Sequence, residues 1–231
     1  MIPSKVVVRA AAVVLAALCV TPNVPRADTT DGAHASVAIS LGAGSALWLE
    51  GTSTLHAYES RSHEVEIGLE RDRAATDPAR AADLMQLIRS VGVRGMSVRV
   101  PVASLRSKNS GLDKNLRKAM KADQYPEVRF HLDHYQLAPE AANRDTIAIE
   151  ADGSLTIAGQ ERQVRLEARA YPGEAGIWLE GSEVVLMSEY GIKPPTMMLG
   201  TLRVGDPVTV RYRLLLVPTG EGTRPSADGN R

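Results

Sequence analysis

The sequence is short of the residues that build several kinds of functional site. Cys19 is its one cysteine, which excludes a disulfide framework and a thiolate zinc centre. Phe130 is its one phenylalanine, and aromatics make up 4% of the 231 residues. That is a thin supply for a stacking platform along single-stranded nucleic acid. Charge of one sign is also missing, because 27 Lys and Arg balance 27 Asp and Glu. Neither a basic surface for nucleic acid nor an acidic solvating tail is expected. There is no His-Glu-x-x-His run, no Gly-x-Ser-x-Gly elbow, no Ser-x-x-Lys and no glycine loop leading to a phosphate-binding lysine. No apolar run reaches the roughly 20 residues of a comfortable transmembrane helix.

What is present begins with a leader. Lys5 and Arg9 precede an apolar run from Ala10 to Val20, Pro22 and Pro25 break it, and Ala27 follows. This is the positive, apolar, small-residue order of a secretory signal peptide. Residues 1–27 are read as a signal peptide and 28–35 as a small, polar linker. Residues 36–217 form the folded domain, and 218–231, rich in Gly, Pro, Thr and Ser, a flexible tail. A periplasmic or secreted protein is expected. Two rival readings are lipidation at Cys19, opposed by the bulk of Leu18, and retention of the segment as an uncut anchor.

The body alternates with period two. Leu47 and Leu49 alternate with Trp48 and Glu50; Val65, Ile67 and Leu69 with Glu64, Glu66 and Glu70. The pattern recurs at Met96 to Val102, Val128 to Asp133, Ile147 to Ile157, Val164 to Arg169 and Val208 to Leu216. Ile177 to Met187 is apolar on both parities and its inward face is ambiguous. These are about eight strands, each apolar on one side. Closing such a sheet into an antiparallel barrel hides both the apolar face and the edges. Eight strands leave an interior wide enough for packed side chains or one small ligand.

Two stretches have helical spacing instead. Asp77-Pro78 reads as an N-cap and first helical position, leading to Leu84, Leu87, Ile88 and Val91, with Gly92 as the stop. From Leu112 to Met120, the residues Leu112, Leu116, Ala119 and Met120 share one face, while Lys114, Arg117, Lys118 and Lys121 point away. Both helices are expected to cover an opening or side of the barrel, with a lid bearing a lipid-facing basic surface as the sharper alternative.

Of the five histidines, His131 and His134 are three apart in a strand, so regular geometry puts them on opposite faces. His56, in the polar cluster Gly51 to His56, is either part of a hydrogen-bonded turn or a group that orients a ligand at the barrel mouth. Acid pairs such as Glu64 and Glu66 read as solvated surface.

Several phrases, in order, resemble one family: GTSTLHAY at 51–58, VRVPVASL at 98–105, LDKNLRKAMKADQYPEVRF at 112–130, GSLTIAG at 153–159 and SEYGI at 188–192. The family is the YceI-like, or polyisoprenoid-binding, group, and the likeness covers roughly residues 45–217. Met187 stands where many members have a basic residue, and Tyr190 where Phe is usual. The resemblance implies an all-β, eight-stranded, lipocalin-like antiparallel barrel with short helices in its connections. It also implies an apolar tunnel that takes an isoprenoid or quinone-like chain.

The lining expected on this basis is Leu47 and Leu49; Val98 and Val100; Val128, Phe130 and Leu132; Leu155, Ile157 and Leu166; and Val208, Val210 and Tyr212. Leu112, Leu116 and Met120 would close over it. No catalytic residue, metal ligand or cofactor other than a bound lipid is expected. The expected partner is an apolar lipid, with contact to a membrane surface and a dimer both allowed and no nucleic acid. Two rivals remain: a filled barrel acting through a membrane or periplasmic partner, and an enzyme using His56 or His131 at the barrel mouth.

Overall fold

Alternating sequence becomes one strongly curled antiparallel sheet in the computed structural model, which describes residues 34–138, 145–197 and 202–219. In chain order the strands are β1 (His34–Ser36), β2 (Ile39–Leu41), β3 (Ala46–Ser53), β4 (Ala57–Ser62), β5 (Glu66–Asp72) and β6 (Val93–Pro101). They continue with β7 (Glu127–Leu137), β8 (Ile147–Ile157), β9 (Gln160–Pro172), β10 (Ile177–Leu186), β11 (Thr196–Met197) and β12 (Leu202–Pro218). Helix α1 (Ala81–Arg89) lies between β5 and β6, and α2 (Ser110–Ala119) between β6 and β7. The expected leader lies outside the described residues, as does nearly all of the expected tail.

The hydrogen-bonded path is β1-β5-β6-β7-β8-β9-β10-β12-β3-β4, with β2 and β11 also on β12. Ten strands therefore follow the path, where the sequence pattern indicated about eight. The additions are β1 and β4. β1 includes His34 and Ala35, which composition placed in the linker. β4 turns Tyr58, Ser60 and Ser62 inward, so it has no apolar alternation to betray it. The N-terminal segment links the two sides of the curl. β1 pairs with β5 and β2 with β12, and Val37 N–H reaches Leu69 O at 2.8 Å. On the other side, Arg61 and Arg106 exchange backbone hydrogen bonds of 2.7 and 2.8 Å. The result is a lipocalin-like barrel, as the alternation and the resemblance indicated.

Two apolar clusters fill the ends. At one end Leu84, Met85, Leu87 and Ile88 of α1 are buried against Ile147, Ala170, Ile177 and Leu216. At the other, Val102, Leu105 and Met120 pack with Ile157, Val185, Tyr190 and Ile192.

The helix ends differ from expectation. Asp77 does not cap α1, because its carboxylate takes the Arg71 guanidinium at 3.3 Å. The helix starts at Ala81 instead, where Asp83 accepts the Arg80 N–H at 3.1 Å and binds its guanidinium. The stop falls before Gly92: Val91 itself takes the left-handed conformation (φ 52°). Gly92 N–H then donates to Leu87 O and Val91 N–H to Ile88 O, a Schellman closure. Helix α2 ends the same way on Lys121 (φ 52°). It begins at Ser110, two residues before the expected Leu112, because Asn109 Oδ1 accepts from the N–H groups of Gly111 and Leu112.

Candidate functional site

Inward-facing residues surround a cavity of about 250 Å³ that reaches from the α1 cluster to the α2 cluster. This is larger than the apolar hole of about 150 Å³ that holds a benzene ring. It lies just under the usual range of ligand pockets, about 300–1,000 Å³.

The wall follows from strand register. Antiparallel partners share a face, so one inner row crosses the sheet as Ser62, Leu47, Tyr212, Gly181, Ala168 and Ile149. A second row runs through Ser60, Leu49, Val210 and Glu183, and a third through Tyr58, Gly51, Val208 and Val185. Small residues recur along these rows, and three inward glycines have an aromatic ring laid over them. A Cβ at Gly51 would overlap Tyr58, one at Gly153 would meet Phe130 Cζ at 2.7 Å, and one at Gly181 would overlap the Tyr212 hydroxyl. The rings fold flat against the wall because these positions have no side chain, which is one reason the interior is not solid.

All thirteen strand residues singled out from the sequence face this cavity: Leu47, Leu49, Val98, Val100, Val128, Phe130, Leu132, Leu155, Ile157, Leu166, Val208, Val210 and Tyr212. Leu112 and Leu116 of α2, with Met120 at its end, also line it. Leu112 and Leu116 are half-buried and Met120 is buried. Asp113 anchors this helix. It is 6% exposed and accepts from the Ser107 N–H at 2.8 Å and hydroxyl at 2.7 Å. On the far side Lys114, Lys118 and Lys121 are exposed as expected. Arg117 departs from that face: it is half-buried, and its Nη1 is enclosed without a hydrogen-bond partner.

Sequence reasoning missed two groups of lining residues. Ile88, Leu69 and Tyr135 extend the wall toward the α1 end. Tyr135 is fixed there, donating its hydroxyl to Ile88 O at 3.0 Å and accepting the Val93 N–H at 3.4 Å. The other group is polar: Tyr58, Asn115, Glu183 and Tyr190. Glu183 belongs to the ambiguous stretch Ile177 to Met187. Burial of Ile177, Leu179 and Val185 sets the odd-numbered parity inward, and Glu183 goes with them. Burial, with a smaller effect of the Glu183 charge, pushes the Tyr212 hydroxyl up to about 12. Burial likewise raises Tyr58 and Tyr190, the latter also facing the Glu189 charge.

The histidines lie elsewhere. His56 is exposed in its turn, where Ser53 Oγ donates to the His56 carbonyl at 2.8 Å and accepts its N–H at 3.3 Å. The turn reading therefore describes it, and it does not line the cavity. His131 and His134 are both exposed on the outer face, contrary to the regular-strand expectation. A register shift between Leu132 and His134 adds one residue to β7 and lets both Leu132 and Tyr135 point inward. His134 then meets Asp152 at 3.0 Å, beside Arg165 at 2.8 Å. Among the described residues, no three His, Cys, Asp or Glu side chains are grouped to hold a metal, and no helix is long and apolar enough to cross a membrane.

A model of the YceI-like domain matches residues 29–216. The crystal structure of BcnA from Burkholderia cenocepacia is similar, with a TM-score of 0.56 at 17% identity over 76% of this chain and 98% of that one. A polyisoprenoid binding domain from Saccharophagus degradans, implicated in plant cell wall breakdown, gives 0.56 at 12% identity over 79% of this chain and 99% of that one. These identities establish a shared fold. No curated protein sequence matches the chain.

Proposed function

Because the chain belongs to the YceI-like family, we propose that it is an exported lipid-binding protein that holds an apolar isoprenoid or quinone-like chain inside its barrel. The observation that carries this reading is a cavity walled mainly by Leu, Val, Ile, Met and Phe from nearly every main strand. Such a wall offers an alkyl or prenyl chain about 25 cal/mol for each Å² removed from water, before ordering costs. The polyisoprenoid-binding neighbour supports the same chemistry. A solid barrel working only by surface contact is disfavoured by the open interior. Export rests on the leader-like residues 1–27. The exposed Lys114, Lys118 and Lys121 suit approach to an anionic membrane surface.

Native mass spectrometry with solvent extraction, on protein purified from its exported compartment, tests the reading. A stoichiometric co-purifying lipid is expected. A clean unliganded mass, with no uptake from a polyprenyl and quinone mixture, would overturn it. Val210→Glu places a charge on the cavity wall and should abolish uptake, and a folded variant that still takes up lipid would remove the lining assignment.

A further inference from the structure

Glu183 is the one charged side chain on the cavity wall among the described residues. It makes no hydrogen bond or ion pair there, and it lies beside Val210 in the register, one step along the inner face from Gly181 and the Tyr212 ring. Among the described residues the wall has no lysine, arginine or histidine. The nearby cations of α2 do not reach the lining: Lys114 and Lys118 are exposed and Arg117 is absent from it. The Tyr212 hydroxyl feels the Glu183 charge, whereas Tyr190 feels the charges of Glu189 and Arg162 more than that of Glu183. Tyr135, by contrast, has its hydroxyl already engaged at the α1 end.

A headgroup in this position meets one strong acceptor and no cation. A phosphate or carboxylate there would face a like charge on a half-buried side chain. An alcohol, amide or amine would give Glu183 the donor it lacks, and a phenol hydroxyl can serve either role. Resting on the lipid-binding reading above, we propose that the barrel selects chains whose headgroup donates hydrogen bonds and carries no negative charge, with Glu183 as acceptor and Tyr212 as its neighbour. The rest of the wall takes the chain irrespective of its head. Specificity of this kind comes as much from rejecting an anion as from attracting a donor.

The test uses three probes on one chain: geranylgeranylamine, geranylgeraniol and geranylgeranyl phosphate, competed for the full-length delipidated protein and read by native mass spectrometry. The amine and the alcohol are each expected to outcompete the phosphate by about tenfold or more, since only the phosphate is set against a like charge. Glu183→Gln keeps the shape and should remove the advantage of the amine and the alcohol over the phosphate. Glu183→Leu, with its melting curve compared with the wild type, separates lost preference from lost folding. Equal uptake of all three by the wild type, or a preference unchanged in both variants, would overturn the headgroup assignment and leave the lipid-binding reading standing. Failure of the wild type to take up any of the three would overturn both.

Discussion

The two helices sit at opposite ends of the same apolar interior and do different work. Four side chains of α1, Leu84, Met85, Leu87 and Ile88, are between 0 and 7% exposed. In α2 the apolar face is half-buried at Leu112, Leu116 and Ala119, all three on the cavity wall, and the one buried residue within the helix is the anchoring Asp113. α1 is a plug whose burial is part of folding. α2 covers the cavity, and its apolar side chains keep accessible surface for a ligand to cover. The lesson is that amphipathic spacing alone does not separate the two, since both helices have a clear apolar face. What separates them is how much protein lies opposite that face.

The largest effect should come from breaking the plug. Leu84→Ala removes a side chain with no exposure and should cost about 2–5 kcal/mol of stability. Denaturant unfolding measures it, and a loss under 1 kcal/mol would mean that α1 is not part of the core.

Next is the pH response of the tyrosines between and beyond the plugs. Tyr212 titrates near 10 when unfolded and at about 12 when folded. The folded state therefore holds its proton while the unfolded state loses it. Stability is intact below pH 10 and falls from there to about pH 12, by about 2–3 kcal/mol from this residue. Tyr58, Tyr135 and Tyr190 are raised as well and act in the same direction. Tyr212→Phe should flatten the decline measured by urea melts across that range. An unchanged slope would show the hydroxyl to be wet.

The shared helix endings sharpen the comparison further. Val91 and Lys121 both hold the left-handed conformation that favours glycine, and β-branching makes it harder for Val91. Val91→Gly should raise stability by about 1 kcal/mol, after the entropy cost of glycine. Lys121→Gly should gain less, and the reverse order of melting temperatures would contradict the strain assignment.

The smallest loss of folding stability belongs to the cover. Leu116→Ala should cost only about 1 kcal/mol, because its side chain is never fully removed from water. It should nonetheless weaken retention of an apolar chain. Full retention, measured by lipid off-rate, would show that α2 does not cover the bound chain.

Much of this molecule was legible before its tertiary structure. Period-two alternation is a local property of strands, so Leu47, Val98, Phe130, Ile157 and Val210 could be placed on the inner face from their neighbours alone. The helices were legible from their apolar spacing. Three features were not. The inward direction of Glu183 depended on the burial of Leu179 and Val185 against other elements, since β10 is apolar on both parities. The common face of His131 and His134 depended on a bulge, an extra residue accommodated only by pairing with β8. The capping of α1 depended on Arg71, in another element, taking Asp77 away.

The sequence by itself determined an antiparallel barrel with an apolar inside, because side-chain alternation follows from the geometry of a strand. Only the tertiary structure decided that the inside is hollow and that a carboxylate lies within it. Interior volume is a difference between the girth of the closed wall and the side chains that fill it. That difference depends on which glycines face which rings across the sheet, a matter of register that no single strand contains.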